Sequence, residues 1–199
     1  NLIKSFLEHR DIGMAGPSQL IPESSNQFQK KAANQIPRSL FPIQKELVDS
    51  DMVSHMCLAM PAKLFKDVGW ENPDIISGTD PDLRYRVRKA GYRVCVAPNC
   101  WAYHPMPETF SKLIKLAFIK GRNSAIMRKT HPDLVFELDE GFKKNFAHRK
   151  PFIIRIVRTI FNILHALLLM KFIKLANAIA YILGNIWGAF SPIEKTKYE

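Results

Sequence analysis

The stretch Gly78-Thr79-Asp80-Pro81-Asp82-Leu83-Arg84-Tyr85-Arg86-Val87-Arg88-Lys89-Ala90-Gly91-Tyr92-Arg93-Val94-Cys95-Val96-Ala97-Pro98-Asn99-Cys100-Trp101-Ala102-Tyr103-His104 decides the fold, because it reads as a helix running straight into a strand. Pro81 has no backbone N–H and a fixed φ, which suits the first helical position and places Asp80 at the N-cap, where a carboxylate accepts unpaired N–H groups. Leu83, Val87 and Ala90 recur at i, i+4 and i+7 as an apolar face. Arg84, Arg88 and Lys89 load the polar side and the last turn, where cations suit the helix dipole, and Gly91 ends the helix. Tyr92 to Ala97 then alternates weakly in β-formers and stops at Pro98, which predicts a strand, a turn and a second short extended piece from Cys100 to Tyr103. His104 emerges at its end, so a carboxylate and an imidazole frame a candidate site. The same residues also fit an ordinary helix cap and an isolated histidine.

Taken in order, Asp80, Asp82-Leu83, the arginines of the helix, Ala90-Gly91-Tyr92-Arg93, the valines of the strand, Pro98 and His104 resemble the second half of the catalytic domain of family 2 glycosyltransferases. These are nucleotide-sugar enzymes with an A-type, Rossmann-like fold. Upstream, Met56 to Trp70 resembles the family's strand of small and apolar residues followed by a short helix closed by glycine; downstream, Lys120-Gly121-Arg122-Asn123 resembles its basic Arg-Asn segment. The resemblance runs from about Asn1 to Glu137.

The resemblance implies an α/β chain: the C-terminal half of such a domain over residues 1–140, a mixed sheet with flanking helices, and then apolar and amphipathic helices over 141–199. It implies that Asp80 is the catalytic base of an inverting transfer, moving a sugar from a nucleotide-diphospho-sugar to a hydroxyl of a lipid-linked or cell-surface glycan. Thr79, Asp82 and Arg122 would lie along the acceptor and substrate, and His104 would be the late ligand of a Mn²⁺ or Mg²⁺ ion completed by an Asp-x-Asp element. A sugar hydroxyl is a poor nucleophile at neutral pH, and a positioned proton acceptor contributes a factor of roughly 100 to 10,000 in rate.

Two departures qualify the match. Thr79 stands where the family has Glu, and no Asp-x-Asp motif precedes the matched region, since Asp80-Pro81-Asp82 already occupies the later position. Asn1 opens the chain inside an expected helix carrying Leu2, Ile3, Phe6 and Leu7, and no Gly-rich phosphate loop follows. The expectation is a piece of a longer enzyme that lacks its nucleotide-binding half; the alternative is a non-catalytic, membrane-binding remnant of that fold. Residues 11 to 50 read as a short buried strand, Asp11 to Pro17, and then an irregular segment rich in Ser, Asn, Gln and Pro up to Pro42.

Lys and Arg number 29 against 18 Asp and Glu, a formal charge of +11, and such an excess seeks anions. Nucleic acid, anionic lipid and nucleotide sugar all qualify, so the placement of the charge decides. Much of it lies between Arg122 and Lys174, beside a long apolar stretch that Pro151 introduces and Phe190 ends. There Arg155, Arg158, Asn162 and His165 share one helical face opposite Ile154, Phe161, Leu164 and Leu168, and Lys171, Lys174, Asn177 and Tyr181 continue the polar stripe. Basic residues interleaved with aliphatic ones suit an anionic membrane surface, whereas nucleic-acid binding would want stacking aromatics. Thr159 to Met170 and Leu175 to Phe190, the longest charge-free spans, fall short of the roughly 18 to 20 residues that cross a bilayer, so helices lying in the interface are expected. Internal packing and a true span produce the same periodicity. Cys57, Cys95 and Cys100 are odd in number and lack metal-ligand spacing, which argues against a zinc site or disulfide framework and fits a reducing cytoplasm; the basic flank suits the cytoplasmic face of the membrane.

Overall fold

The computed structural model describes residues 2–36, 42–73, 75, 79–130 and 152–192. The boundary expected between 140 and 141, the basic run from Phe142 to Lys150 and the end of the chain from Glu194 lie outside the described residues. The described elements fall into two compact units, one with both strands and helices, the other helical.

The first unit contains α1 (Leu2–Glu8), β1 (Ile12–Leu20), β2 (Val48–Asp49), α3 (Ala62–Asp67), α4 (Thr79–Lys89) and β3 (Arg93–Tyr103); α2 (Gln27–Gln35) belongs to the second. The sheet has the order β1-β3-β2, with β3 parallel to β1 and antiparallel to β2. It is a small mixed sheet flanked by helices. Alternation along the central strand divides the core: Val94 and Val96 pack with Met14, Val53, Leu64, Leu83 and Val87 on one face, while Cys95 packs with Ile12, Ala15, Leu2 and Phe6 on the other. Side chains of this size contribute about 1.5 to 3 kcal/mol each when fully buried. Arg93 ties the three strands together at one end, bonding Asp49 at 2.8 Å and Asp11 at 3.1 Å.

α4 keeps its expected apolar face at Leu83 and Val87, and Gly91 ends it with φ of +87°. Three details differ. The helix begins at Thr79, so Asp80 and Pro81 lie within the first turn; the missing N–H of proline costs nothing there, because the first four N–H groups have no intrahelical partner. Ala90 lies past the last helical residue and is exposed. Arg84, expected on the polar side, is 4% exposed, because its guanidinium reaches the Val53 carbonyl and approaches Asp51 at 3.8 Å.

β3 is one strand instead of two pieces. Between the pairs Gly16↔Val96 and Ser18↔Trp101, two steps along β1 face five along β3, and Pro98 and Asn99 sit in the resulting bulge with Asn99 at φ of +46°. The segment expected to be irregular also holds α2, whose start is a reciprocal cap: Asn26 accepts from the Gln29 backbone and Gln29 accepts from the Asn26 backbone, both at 2.8 Å.

The second unit consists of α2, α5 (Phe110–Thr130), α6 (Phe152–Leu168) and α7 (Phe172–Phe190). α5 and α7 pack backbone to backbone: a Cβ on Gly121 would overlap the Tyr181 carbonyl oxygen, one on Gly184 that of Phe118, and one on Gly188 that of Arg122. Gln35 of α2 accepts from the N–H groups of Ile173 and Lys174 at 3.1 and 3.3 Å, capping α7 where its own N-cap residue supplies no side chain. At 19 residues, α7 is long and apolar enough to cross a membrane by length and composition, because the helix continues through Lys174, which had set the limit of the charge-free span.

Candidate active site

Asp80 receives two donors from one residue. The backbone N–H of His55 donates to Oδ1 at 2.6 Å, and the imidazole Nδ1 of His55 meets the same oxygen. On its far side the ring presents Nε2 to Oε1 of Glu71 at 2.5 Å. The result is a carboxylate–imidazole–carboxylate array, Asp80–His55–Glu71, with the Asp80 side chain 35% exposed. Among the described residues Oδ2 of Asp80 accepts no hydrogen bond.

α4 positions both loops that reach Asp80. Arg84 and Arg88 hold Asp51, Arg88 at 2.5 Å, and Arg84 also donates to the Val53 carbonyl, so the segment leading to His55 is pinned on the helix. Arg86 takes the segment leading to Glu71: it donates to the carbonyls of Val68 at 2.5 Å and Trp70 at 2.7 Å, while Asp82 holds its guanidinium at 2.6 and 2.9 Å. The chain between α3 and Glu71 turns through left-handed residues, Gly69 at φ +89° and Trp70 at φ +59°, and Trp70 packs edge-on against Phe65.

Burial lowers the proton affinity of His55, but the hydrogen bonds to Glu71 and Asp80, together with the charges of both carboxylates, outweigh it and hold the imidazole above its usual range. Chemically, this is a carboxylate held at one oxygen by a neighbouring backbone N–H and imidazole.

Of the residues singled out in the sequence, Asp80 is in the array and Thr79 starts the same helical turn. Asp82 is buried and engaged with Arg86, which makes it part of the frame. His104 follows β3, exposed, with its backbone N–H donating to the Leu20 carbonyl at 2.8 Å. Arg122 belongs to α5 in the second unit, where its Nε is buried without a hydrogen-bond partner. Sequence reasoning missed His55 and Glu71. A signal was present in Arg84, Arg86 and Arg88: residues two apart on a helix point to opposite sides, so three such arginines cannot all face water, and inward-turned guanidiniums must find acceptors on the neighbouring loops.

Among the described residues no group of three His, Cys, Asp or Glu is placed to hold a metal ion. Both nitrogens of His55 are taken by carboxylates. No family model, curated protein or solved structure matches this chain.

Proposed function

We propose that the chain carries the acceptor side of an inverting glycosyltransferase, moving a sugar from a nucleotide-diphospho-sugar to a hydroxyl of a lipid-linked or cell-surface glycan at the cytoplasmic face of a membrane. The observation that carries this reading is the Asp80 carboxylate: fastened through Oδ1, without a hydrogen bond at Oδ2 among the described residues, and partly exposed on the first turn of α4. In that role Oδ2 takes the proton of the acceptor hydroxyl as its oxygen attacks the anomeric carbon, and the bond from that carbon to the nucleoside diphosphate breaks on the opposite face. Asp82 and Arg86 keep the loops in place, and Thr79 lines the acceptor side.

The membrane part of the reading rests on the second unit. Asn162 and His165 of α6 lie on its partly covered side, whereas Phe161, Leu164 and Leu168 are exposed, with Leu168 at 81%. Water does not support a helix with its apolar face outward; lipid does.

The test is sugar transfer by the full-length protein, wild type against Asp80→Asn. Transfer falls by a factor of roughly 100 to 10,000 while donor binding is retained, because an amide cannot take the proton. Equal kcat in the two proteins refutes the assignment. A wild-type protein that binds vesicles but neither binds nor consumes donor would favour the membrane-binding remnant.

A further inference from the structure

A carboxylate on the first turn of a helix rotates freely about its side-chain torsions unless a neighbour fixes it. Here the neighbour is one residue that binds it twice, by backbone and by ring, and is itself gripped from behind. We propose that His55 is a positioning residue for Asp80, braced by Glu71 through Nε2, so that Oδ1 is held and Oδ2 is presented to a hydroxyl. For its catalytic consequence the proposal rests on the reading of Asp80 as a base; the brace itself is independent of any reaction.

Among the described residues the groups that face the ring are Asp80 from α4 and Glu71 from the turn after α3, and both are acidic. A protonated imidazole donates from both nitrogens and serves both carboxylates at once, whereas a neutral one has a single N–H and leaves one carboxylate facing a lone pair. The backbone N–H of His55 keeps its hold on Oδ1 in either state. Loss of the proton therefore loosens the array without releasing Asp80 completely, and the two carboxylates together favour the protonated ring.

The experiment is a titration of the histidine ring resonances in the full chain held in lipid nanodiscs, with His55 assigned by comparison with His55→Gln. In wild type the His55 midpoint lies above the ordinary 6.5, and it drops in Glu71→Gln and in Asp80→Asn. A wild-type midpoint at or below 6.5, or one that neither substitution moves, overturns the proposal. Should either variant fail to fold, Glu71→Asp serves in its place: the side chain one methylene shorter withdraws its oxygen from Nε2, and the midpoint must still fall.

The catalytic arm, run on the full-length protein, follows release of nucleoside diphosphate from a nucleotide-diphospho-sugar across pH. Wild type shows an inflection in kcat at the His55 midpoint, and His55→Gln loses it; an inflection that persists in His55→Gln overturns the positioning role. A full-length wild type that turns over no donor at any pH while its His55 midpoint responds as expected removes the glycosyltransferase reading and leaves the brace standing.

Discussion

Asp51 is 6% exposed and faces two guanidiniums, those of Arg84 and Arg88. Replacing it by Asn removes the carboxylate charge that faces the buried Arg84 and the partly exposed Arg88, and breaking a buried pair from one side costs about 3 to 5 kcal/mol. Asp51→Asn is therefore expected to lower the denaturation midpoint sharply, more than Lys63→Ala, whose pair with Asp67 lies on the surface and is screened by water. His55 supplies a pH-dependent contribution whose sign is fixed. Its folded affinity for protons exceeds that of the unfolded chain, so its stabilisation is complete below pH 6.5 and is lost as pH rises through the folded midpoint. Denaturation of wild type and His55→Gln across that window checks this: the difference between them shrinks with rising pH. Cys95 is the opposite kind of group. Burial, reinforced by its hydrogen bond to Asp49 at 3.0 Å, pushes the thiol up to about 12, so alkylation of the native protein at pH 8 should spare it. Leu83, Val87 and Gly91 were legible in the sequence because periodicity and chain reversal are local properties. Asp80 was legible as a carboxylate at a helix start, but its partner His55 lies 25 positions away, and no local pattern encodes a contact of that span.

Between elements, the tightest junction is that of α5 and α7, where Gly121, Gly184 and Gly188 let two backbones meet. Around them Tyr181 bonds Ser124 at 3.1 Å and Arg128 bonds the side-chain carbonyl oxygen of Asn185 across the seam, while Arg122 Nε and Asn185 Nδ2 are buried without a hydrogen bond among the described residues. Overpacking a close-fitted contact costs typically 1 to 3 kcal/mol. Gly184→Ala is thus expected to separate α5 from α7 and expose the seam to proteolysis, while Gly69→Ala meets no neighbouring atom and is strained only through its φ of +89°. Limited proteolysis of the two variants distinguishes overlap between helices from local backbone strain. A smaller effect belongs to α2, where Asn26→Ala removes one half of the reciprocal cap and costs about 1 kcal/mol. That helix was hidden by composition: Ser, Asn, Gln and Pro mark loops on average, but Asn26 followed three residues later by Gln29 carries a start signal that the average obscures. The glycines of α5 and α7 gave no such signal, because their role exists only when the two helices lie against each other.

Across the whole chain, the formal charge of +11 and the outward apolar faces of α6 and α7 describe one kind of surface. Ile153, Phe161, Leu164, Leu168, Met170, Trp187 and Phe190 are all exposed by more than half, a concentration that soluble monomers rarely carry. Arg158, Lys171 and Lys174 stand beside them on partly covered positions. Each such cation near an anionic surface adds roughly 1 kcal/mol, and salt screens that part over a Debye length of about 8 Å at physiological strength, whereas apolar burial does not respond. Binding to phosphatidylserine-containing vesicles should therefore weaken with salt without disappearing. Replacing Arg158, Lys171 and Lys174 by Gln should reduce it strongly at low salt and little at high salt. Flotation with and without vesicles reads this directly: a protein that stays soluble, monomeric and indifferent to vesicles would show that its apolar faces are covered by protein. Resistance of the bound chain to carbonate extraction would place α7 across the bilayer, and release by carbonate would keep both helices in the interface.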